Sequence, residues 1–351
     1  MSKDKYVAYV GTYTHEQSVG IYVYDIDLDT GVLTERSVAP VNNPSYLCVS
    51  HDGEMLYSIA DEGVAAFRID KNGDLTKVNQ EWNGGMRGCY VEVDSRRRFL
   101  FVGGFHDGRV TMMRLAEDGS IAGIADGVFH QGIGLSASNR RLDHPKVSCV
   151  KLTPDEKFLC AADYGLNQIK VYRIDYDHGR LKLEDIVRCT MDSGPRSIRF
   201  SADGQNMYIL TELSNTIEAY HYCVDEDDEP EFEKIQELRI WERNITTAAS
   251  CMAFSDDDKY LYVSVDGCNE VVTVQRDTED GMLRVEQSAP SSGDFPKSLA
   301  SLPGDKYYVV LNHDTDEIRT FHVDHQKGYT LMKNAPISVQ RPNCIRLHKL
   351  S

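Results

Sequence analysis

Residues 195–211, PRSIRFSADGQNMYILT, combine an apolar strand start, a polar turn and a short strand rich in aromatic and β-branched residues. The same pattern recurs at residues 43–60, 88–104, 146–162, 249–265 and 296–312. A seventh copy is split: its second half, KYVAYVGTYT, lies at residues 5–14, and its first half, RPNCIRL, lies at residues 341–347. The copies are spaced by about 50 residues, a period typical of four-stranded propeller blades.

Each repeat continues with a third strand, such as GIYVYDID at residues 20–27, and then a turn built on TG, NG, DG or HG. Such turns accept a positive φ and join antiparallel strands. A sheet must hide its edges, and radial closure of blades does so. The sequence therefore predicts an all-β, seven-bladed β-propeller with four-stranded blades that spans residues 1–351 as a single domain. The N- and C-terminal strands are expected to share one blade and so close the ring.

The composition excludes several classes of function. The chain has 38 basic and 55 acidic residues, a formal net charge of −17, which disfavours nucleic acid and anionic membranes as partners. It has nine cysteines but no CxxC pair and no cluster with metal-ligand spacing, so we expect free thiols, no metal and no cofactor. Without a signal-like or membrane-spanning apolar run, we expect a cytoplasmic protein, a monomer or weak homo-oligomer.

Two segments depart from the repeat. Residues 120–143 are expected to form a long polar connection between the third and fourth blades, and connections of this length are often functional. Residues 225–233, DEDDEPEFE, are expected to form a hairpin tip. This tip lacks the spacing and the glycine of a calcium loop, so a solvated tip is favoured over a cation site.

The repeat also predicts which residues surround the mouth of the central channel. One ring follows the starts of the first strands, at Ser45, Cys89, Ser148, Arg196, Ser250, Lys297 and Asn343. A second ring follows the ends of the second strands, at Tyr13, Asp61, Phe105, Tyr164, Glu212, Asp266 and His313. Since strand starts and adjacent strand ends lie on the same face, we expect the two rings to be close together.

The charged members of these rings suit a polar, anionic small molecule. Arginine pairs with carboxylate or phosphate through two parallel hydrogen bonds, which favours Arg196 as an anion ligand, with Lys146 and Lys297 nearby. Glu212 is a candidate general base if burial raises its pKa. Alternatively, Arg196 and Glu212 form a structural ion pair inside the channel; register alone favours neither interpretation.

Several motifs resemble a known family. The opening YVGTYT followed by GIYVYDIDLDTGVL, with NPSYLCVSHDGEMLY and GPRSIRFSADGQNMYILTELSNTI, resembles the lactonase family of seven-bladed propellers over essentially the whole chain. This family includes propeller-type 6-phosphogluconolactonases and carboxymuconate cyclases. The resemblance implies metal-independent hydrolysis of a sugar lactone. It also implies that Arg196, in GPR, and Glu212, after the following strand, correspond to the family's arginine and glutamate.

Two positions depart from the family pattern. Where members commonly have PHxHS, this chain has Pro145-Lys146-Val147-Ser148-Cys149, and His144 lies in a different register. Asp266 stands where an arginine is common. We predict catalytic roles for Arg196 and Glu212, and a substrate site formed by Lys146, Ser148, Lys297, His144, His313, Asp266 and Tyr13.

These departures leave three functions open. The first is hydrolysis of an anionic sugar lactone such as 6-phosphogluconolactone, with water activated by Glu212. The second is a diverged propeller that binds a sugar acid or a protein partner without turnover. The third, cycloisomerisation of a muconate-like diacid, is disfavoured because Asp266 would repel the second carboxylate.

Overall fold

The computed structural model describes residues 4–134, 142–242 and 246–350, and it confirms the predicted seven-bladed propeller. Seven antiparallel sheets of four strands each are arranged in a ring. Within the described ranges, no helix is long and apolar enough to cross a membrane.

The strands are numbered along the chain and the blades by their order in the ring. Blade 1 contains β1 (Tyr6–Thr12), β2 (Gly20–Asp27) and β3 (Val32–Pro40). Blade 2 contains β4 (Leu47–Val49), β5 (Met55–Ala60), β6 (Gly63–Ile69) and β7 (Leu75–Glu81). Blade 3 contains β8 (Tyr90–Val93), β9 (Phe99–Gly104), β10 (Arg109–Leu115) and β11 (Ile121–Phe129). Blade 4 contains β12 (Val147–Leu152), β13 (Phe158–Asp163), β14 (Gln168–Asp175) and β15 (Arg180–Arg188).

The remaining strands complete the ring. Blade 5 contains β16 (Pro195–Phe200), β17 (Asn206–Thr211), β18 (Thr216–Val224) and β19 (Pro230–Arg239). Blade 6 contains β20 (Ala248–Phe254), β21 (Tyr260–Asp266), β22 (Glu270–Arg276) and β23 (Leu283–Pro290). Blade 7 contains β24 (Pro296–Ser301), β25 (Tyr307–Asn312), β26 (Glu317–Asp324) and β27 (Tyr329–Ser338). The last strand, β28 (Pro342–Lys349), returns to blade 1 and pairs with β1.

The shared blade closes the ring as the split repeat predicts. Strand β28 runs antiparallel to β1, with Tyr6 opposite Lys349 and Val10 opposite Ile345. The first and last strands of the chain are therefore held together by a β-ladder, and the ring opens only if that ladder breaks.

The aromatic residue of the second strand links successive blades. The hydroxyl of Tyr9 donates a hydrogen bond to the Gly73 carbonyl (2.9 Å), and Tyr57 donates to Gly119 (3.0 Å). Tyr208 donates in the same way to Gly281 (2.8 Å). Each acceptor belongs to the turn before the fourth strand of the next blade. All three glycines have a positive φ, which explains why this turn repeats an NG or DG pair.

One of the two predicted irregular segments is shorter than expected. Residues 120–143 do not form one continuous connection, because β11 takes up residues 121–129 as the outer strand of blade 3. The prediction of a connection was wrong for residues 121–129, which carry alternating apolar residues and pair as a strand with β10. Residues 135–141 of the same segment lie outside the described ranges. Of the predicted acidic tip, residues 225–229 lie between β18 and β19, whereas residues 230–233 belong to β19. Asp228 of this tip forms ion pairs with Lys157 and Arg173.

Candidate functional site

A cavity of about 340 Å³ lies where the inner strands begin, and we call it the mouth cavity. The first ring predicted from the repeat lines it in full: Ser45, Cys89, Ser148, Arg196, Ser250, Lys297 and Asn343. Tyr13 and Phe105 of the second ring also line it. The two rings thus meet at one mouth of the channel.

A recurring β-bulge aims the first ring into the channel. In blades 4 to 7 the pairing of the inner strand skips one residue, at Ser148, Arg196, Ser250 and Lys297. Asn343 occupies the same position in β28. A bulged residue has no partner opposite it, and the local bend redirects its side chain. In these five blades the bulge therefore presents one side chain to the mouth cavity.

The charge of the mouth cavity is opposite to that of the chain as a whole. Its lining contains five basic side chains, Arg87, Arg196, Arg199, Lys297 and Arg346. No aspartate or glutamate is among the described residues that line it. In a chain with a net charge of −17, such a cavity concentrates positive potential and attracts anions.

A smaller cavity of about 280 Å³, which we call the side cavity, adjoins the mouth cavity. Arg196 and Ser250 line both cavities. Glu212 and Asp266 line the side cavity but not the mouth cavity. The structure therefore separates the cations of the predicted site from its carboxylates, with Arg196 at the border.

Arg196 is held by two partners. Its Nη1 contacts the Oε2 of Glu212, and its Nε donates to the carbonyl of Ser250 (2.7 Å). The other oxygen of Glu212 accepts a hydrogen bond from the Tyr164 hydroxyl (3.2 Å). The Arg196 side chain is 30% exposed and the Glu212 side chain 14% exposed. The ion pair considered from the sequence is present, and it borders open space instead of being sealed in the core.

Lys297 is the cation of the mouth cavity with the fewest polar contacts to the described residues. Its Nζ lies 5.4 Å from the ring centroid of Tyr13 and 4.8 Å from that of Phe295. No carboxylate among the described residues lies within 4.0 Å of this ammonium group. Burial, together with the charge of Arg196, lowers the pKa of Lys297 to about 8.

His313 is packed beside this lysine. Its Nδ1 lies 3.0 Å from the Pro342 carbonyl, so Nδ1 carries the proton and donates it there. Its ring meets those of Tyr13 and Phe295 edge to face. Burial and the charge of Lys297 lower the pKa of His313, which favours the neutral ring at pH 7.

The other predicted residues are more widely distributed. Ser148 lines the mouth cavity and donates to the Pro195 carbonyl (2.8 Å). Lys146 and His144 line neither cavity, and both contact Asp143, at 2.6 and 2.7 Å. Burial raises the pKa of Asp266 in the side cavity. The structure brings together Arg196, Glu212, Lys297, Ser148, Tyr13, His313 and Asp266, but not Lys146 and His144.

Sequence reasoning missed three of the five cations. Arg87 lies just before β8, stands 5.3 Å over the Tyr13 ring and pairs with Asp61 (3.1 Å). Arg199 and Arg346 lie three residues beyond the first ring, on the same face of the inner strands. A signal was present for these two, because PRSIRF and PNCIRL carry arginine at the same position of the repeat.

Comparison with known proteins agrees with this architecture. The sequence model of the family described as "Lactonase, 7-bladed beta-propeller" matches residues 7–347. The chain belongs to this lactonase family. It is similar to the 6-phosphogluconolactonase of Bacillus subtilis, with 28% identity over 99% of both chains.

Two solved structures superpose along nearly the whole chain. A periplasmic gluconolactonase of Pseudomonas aeruginosa has a TM-score of 0.91 at 27% identity and covers 99% of this chain and 100% of its own. A putative 6-phosphogluconolactonase of Bacteroides fragilis has a TM-score of 0.90 at 28% identity and covers 98% of each chain.

Proposed function

We propose that this protein hydrolyses the lactone of a sugar acid that carries an anionic group, such as 6-phosphogluconolactone. The observation that carries the proposal is the position of Arg196, which lines the basic mouth cavity and contacts Glu212 in the adjoining side cavity. The names of the similar proteins, 6-phosphogluconolactonase and gluconolactonase, support the same reaction class.

The basic lining sets the substrate's orientation. The anionic end of the substrate binds to Lys297, which has no carboxylate partner to displace among the described residues. The lactone carbonyl then lies toward Arg196, on the side of the mouth cavity that adjoins Glu212. Because no carboxylate is found among the described residues of the mouth cavity, an anionic substrate meets no direct repulsion from them.

The chemical step is addition of water to the carbonyl. Glu212 accepts a proton from the water molecule while the water oxygen bonds to the carbonyl carbon. The Arg196 guanidinium stabilises the negative charge that develops on the carbonyl oxygen. The bond between the carbonyl carbon and the ring oxygen then breaks, and that oxygen takes up the proton that Glu212 accepted. One lactone and one water give one hydroxy acid.

Glu212→Gln tests this assignment. Glutamine preserves the size of the side chain and accepts a hydrogen bond from Tyr164, but it does not take up a proton. We expect kcat for lactone opening, above the spontaneous rate, to fall about 10²- to 10⁴-fold with little change in KM.

Asp61→Asn is the matched control, because Asp61 holds the equivalent strand-end position in blade 2 but lines neither cavity. Equal rates for wild type and Glu212→Gln would remove Glu212 from the mechanism. A faster reaction with 6-phosphogluconolactone than with gluconolactone would support the phosphorylated substrate.

One observation favours a second function. Arg196 is already engaged by Glu212 and by the Ser250 carbonyl, an arrangement that also suits a protein that only binds a sugar acid. In that case gluconate or 6-phosphogluconate would raise the melting temperature while no lactone turnover is detected.

A further inference from the structure

A cavity of about 460 Å³, which we call the far cavity, lies toward the other end of the channel. Its lining comes from the later residues of the inner strands, including Glu92, Lys151 and Arg346. These positions are three residues beyond the first ring, which corresponds to about 10 Å along a strand. The far cavity is therefore separate from the cavities assigned to the lactone.

A layer of aromatic and arginine side chains divides the channel. Arg199, Arg346 and Tyr90 line both the mouth cavity and the far cavity, whereas Tyr46 lines only the mouth cavity. The rings of Tyr46 and Tyr90 are in contact, with centroids 3.9 Å apart. The two arginines thus lie between the two cavities, at mid-channel.

Within the described ranges, these half-buried arginines have no carboxylate partner, although cations removed from water are usually paired. The Nη1 of Arg199 donates to the Tyr90 hydroxyl (3.1 Å) and the Ile198 carbonyl (2.8 Å). The Nη1 of Arg346 donates to the Ile345 carbonyl (2.7 Å), and its guanidinium lies 4.5 Å from the Tyr46 ring centroid. Among the residues that the structure describes, no carboxylate lies within 4.0 Å of either guanidinium, and neither Nε nor Nη2 has a protein acceptor.

The charge balance of the far cavity indicates the kind of ligand. Lys151 forms an ion pair with Glu92, so these two charges cancel. Arg199 and Arg346 leave a surplus of two positive charges that share one wall. A guanidinium presents paired donors that match the oxygens of phosphate, and two of them match the charge of a dianion.

We propose that Arg199 and Arg346 form a second anion site, entered from the far cavity, that takes a phosphate-class dianion. The far cavity is the favoured entrance because it is the larger of the two. The mouth cavity already supplies its own ligand groups in Arg196 and Lys297. This site does not depend on lactone hydrolysis, and a non-catalytic protein would keep it.

Binding of inorganic phosphate to the full chain, measured by calorimetry at constant ionic strength, tests the site. We expect Arg199→Met and Arg346→Met each to weaken phosphate binding about tenfold or more. Lys297→Met, which removes a cation that lines only the mouth cavity, should leave this binding in place. Arg284→Met is the matched control, because it removes an exposed arginine of β23.

Two further measurements keep the test decisive if an arginine variant does not fold. Arg346→Lys retains the charge but not the paired donors, and it should bind phosphate with intermediate affinity. In the wild type, saturating gluconate should leave the phosphate bound at Arg199 and Arg346 in place, since gluconate occupies the mouth cavity. Absence of phosphate binding to the wild type, full loss in Lys297→Met, or complete competition by gluconate would each overturn the second site.

Discussion

The mouth cavity and the side cavity share Arg196 but differ in charge. Five basic side chains and no carboxylate line the described wall of the mouth cavity, whereas Glu212 and Asp266 line the side cavity. The difference in charge suits the two cavities to different roles. A basic cavity holds an anion without repulsion. A carboxylate that contacts the arginine shared by the two cavities is still close enough to accept a proton from water where the cavities adjoin.

Among variants of the basic residues, the largest expected effect comes from removing the residue that joins the two cavities. Arg196→Met should lower kcat/KM for lactone hydrolysis about 10²- to 10³-fold, because the variant loses both the anion ligand and the stabilisation of the developing oxyanion. Steady-state rates above the spontaneous background measure this loss.

Arg87→Met provides the matched control for Arg196→Met. Arg87 lines the same cavity, but it stands at the rim, where it pairs with Asp61. Since exposed pairs contribute little, its replacement should change kcat/KM by only a few-fold. Similar losses in the two variants would indicate that general positive charge, and not the border position, accounts for the role of Arg196.

A smaller effect is expected when Lys297 of the mouth cavity loses its charge. Because the pKa of Lys297 is lowered to about 8, the ammonium form is complete below that pH and is lost above it. Gluconate stays ionised over this range. Its affinity should therefore be constant below pH 7 and fall up to about tenfold by pH 9, as measured by calorimetry.

Two variants isolate the contribution of Lys297 to this profile. Lys297→Arg keeps the cation charged at every pH tested and should abolish the decline above pH 8. Lys297→Met should bind gluconate weakly at all pH values. A decline that persists in Lys297→Arg would assign the titration to another group.

The sequence predicted the fold and the positions around the mouth, but not how those positions are grouped. The blade repeat and its split copy determine the ring, and the register places Arg196 and Glu212 near each other. The strand-end carboxylates Glu212 and Asp266 both line the side cavity and not the mouth cavity. This depends on how side chains of neighbouring blades pack, about which the repeat contains no information, so the side cavity could not be predicted.

The loop before blade 4 shows a second limit of sequence reasoning. Lys146 occupies the place of a family histidine, yet its Nζ contacts Asp143, three residues earlier in the same loop. Loop conformation decides this pairing, and the repeat contains no information about it. Arg199 and Arg346, in contrast, share one position of the repeat, three residues beyond the strand starts, and could have been predicted from it.

The smallest expected effect concerns the position where the family commonly has an arginine. Asp266 lies beside Arg196 and Glu212, where its charge opposes an anionic ligand. Asp266→Asn should tighten gluconate binding about two- to fivefold, because one screened repulsion is removed. Asp314→Asn, which removes an exposed carboxylate paired with Arg341, is the control and should change affinity less. If Asp266→Asn instead abolishes lactone turnover, Asp266 takes part in proton transfer, and the carboxylates of the side cavity act as a pair.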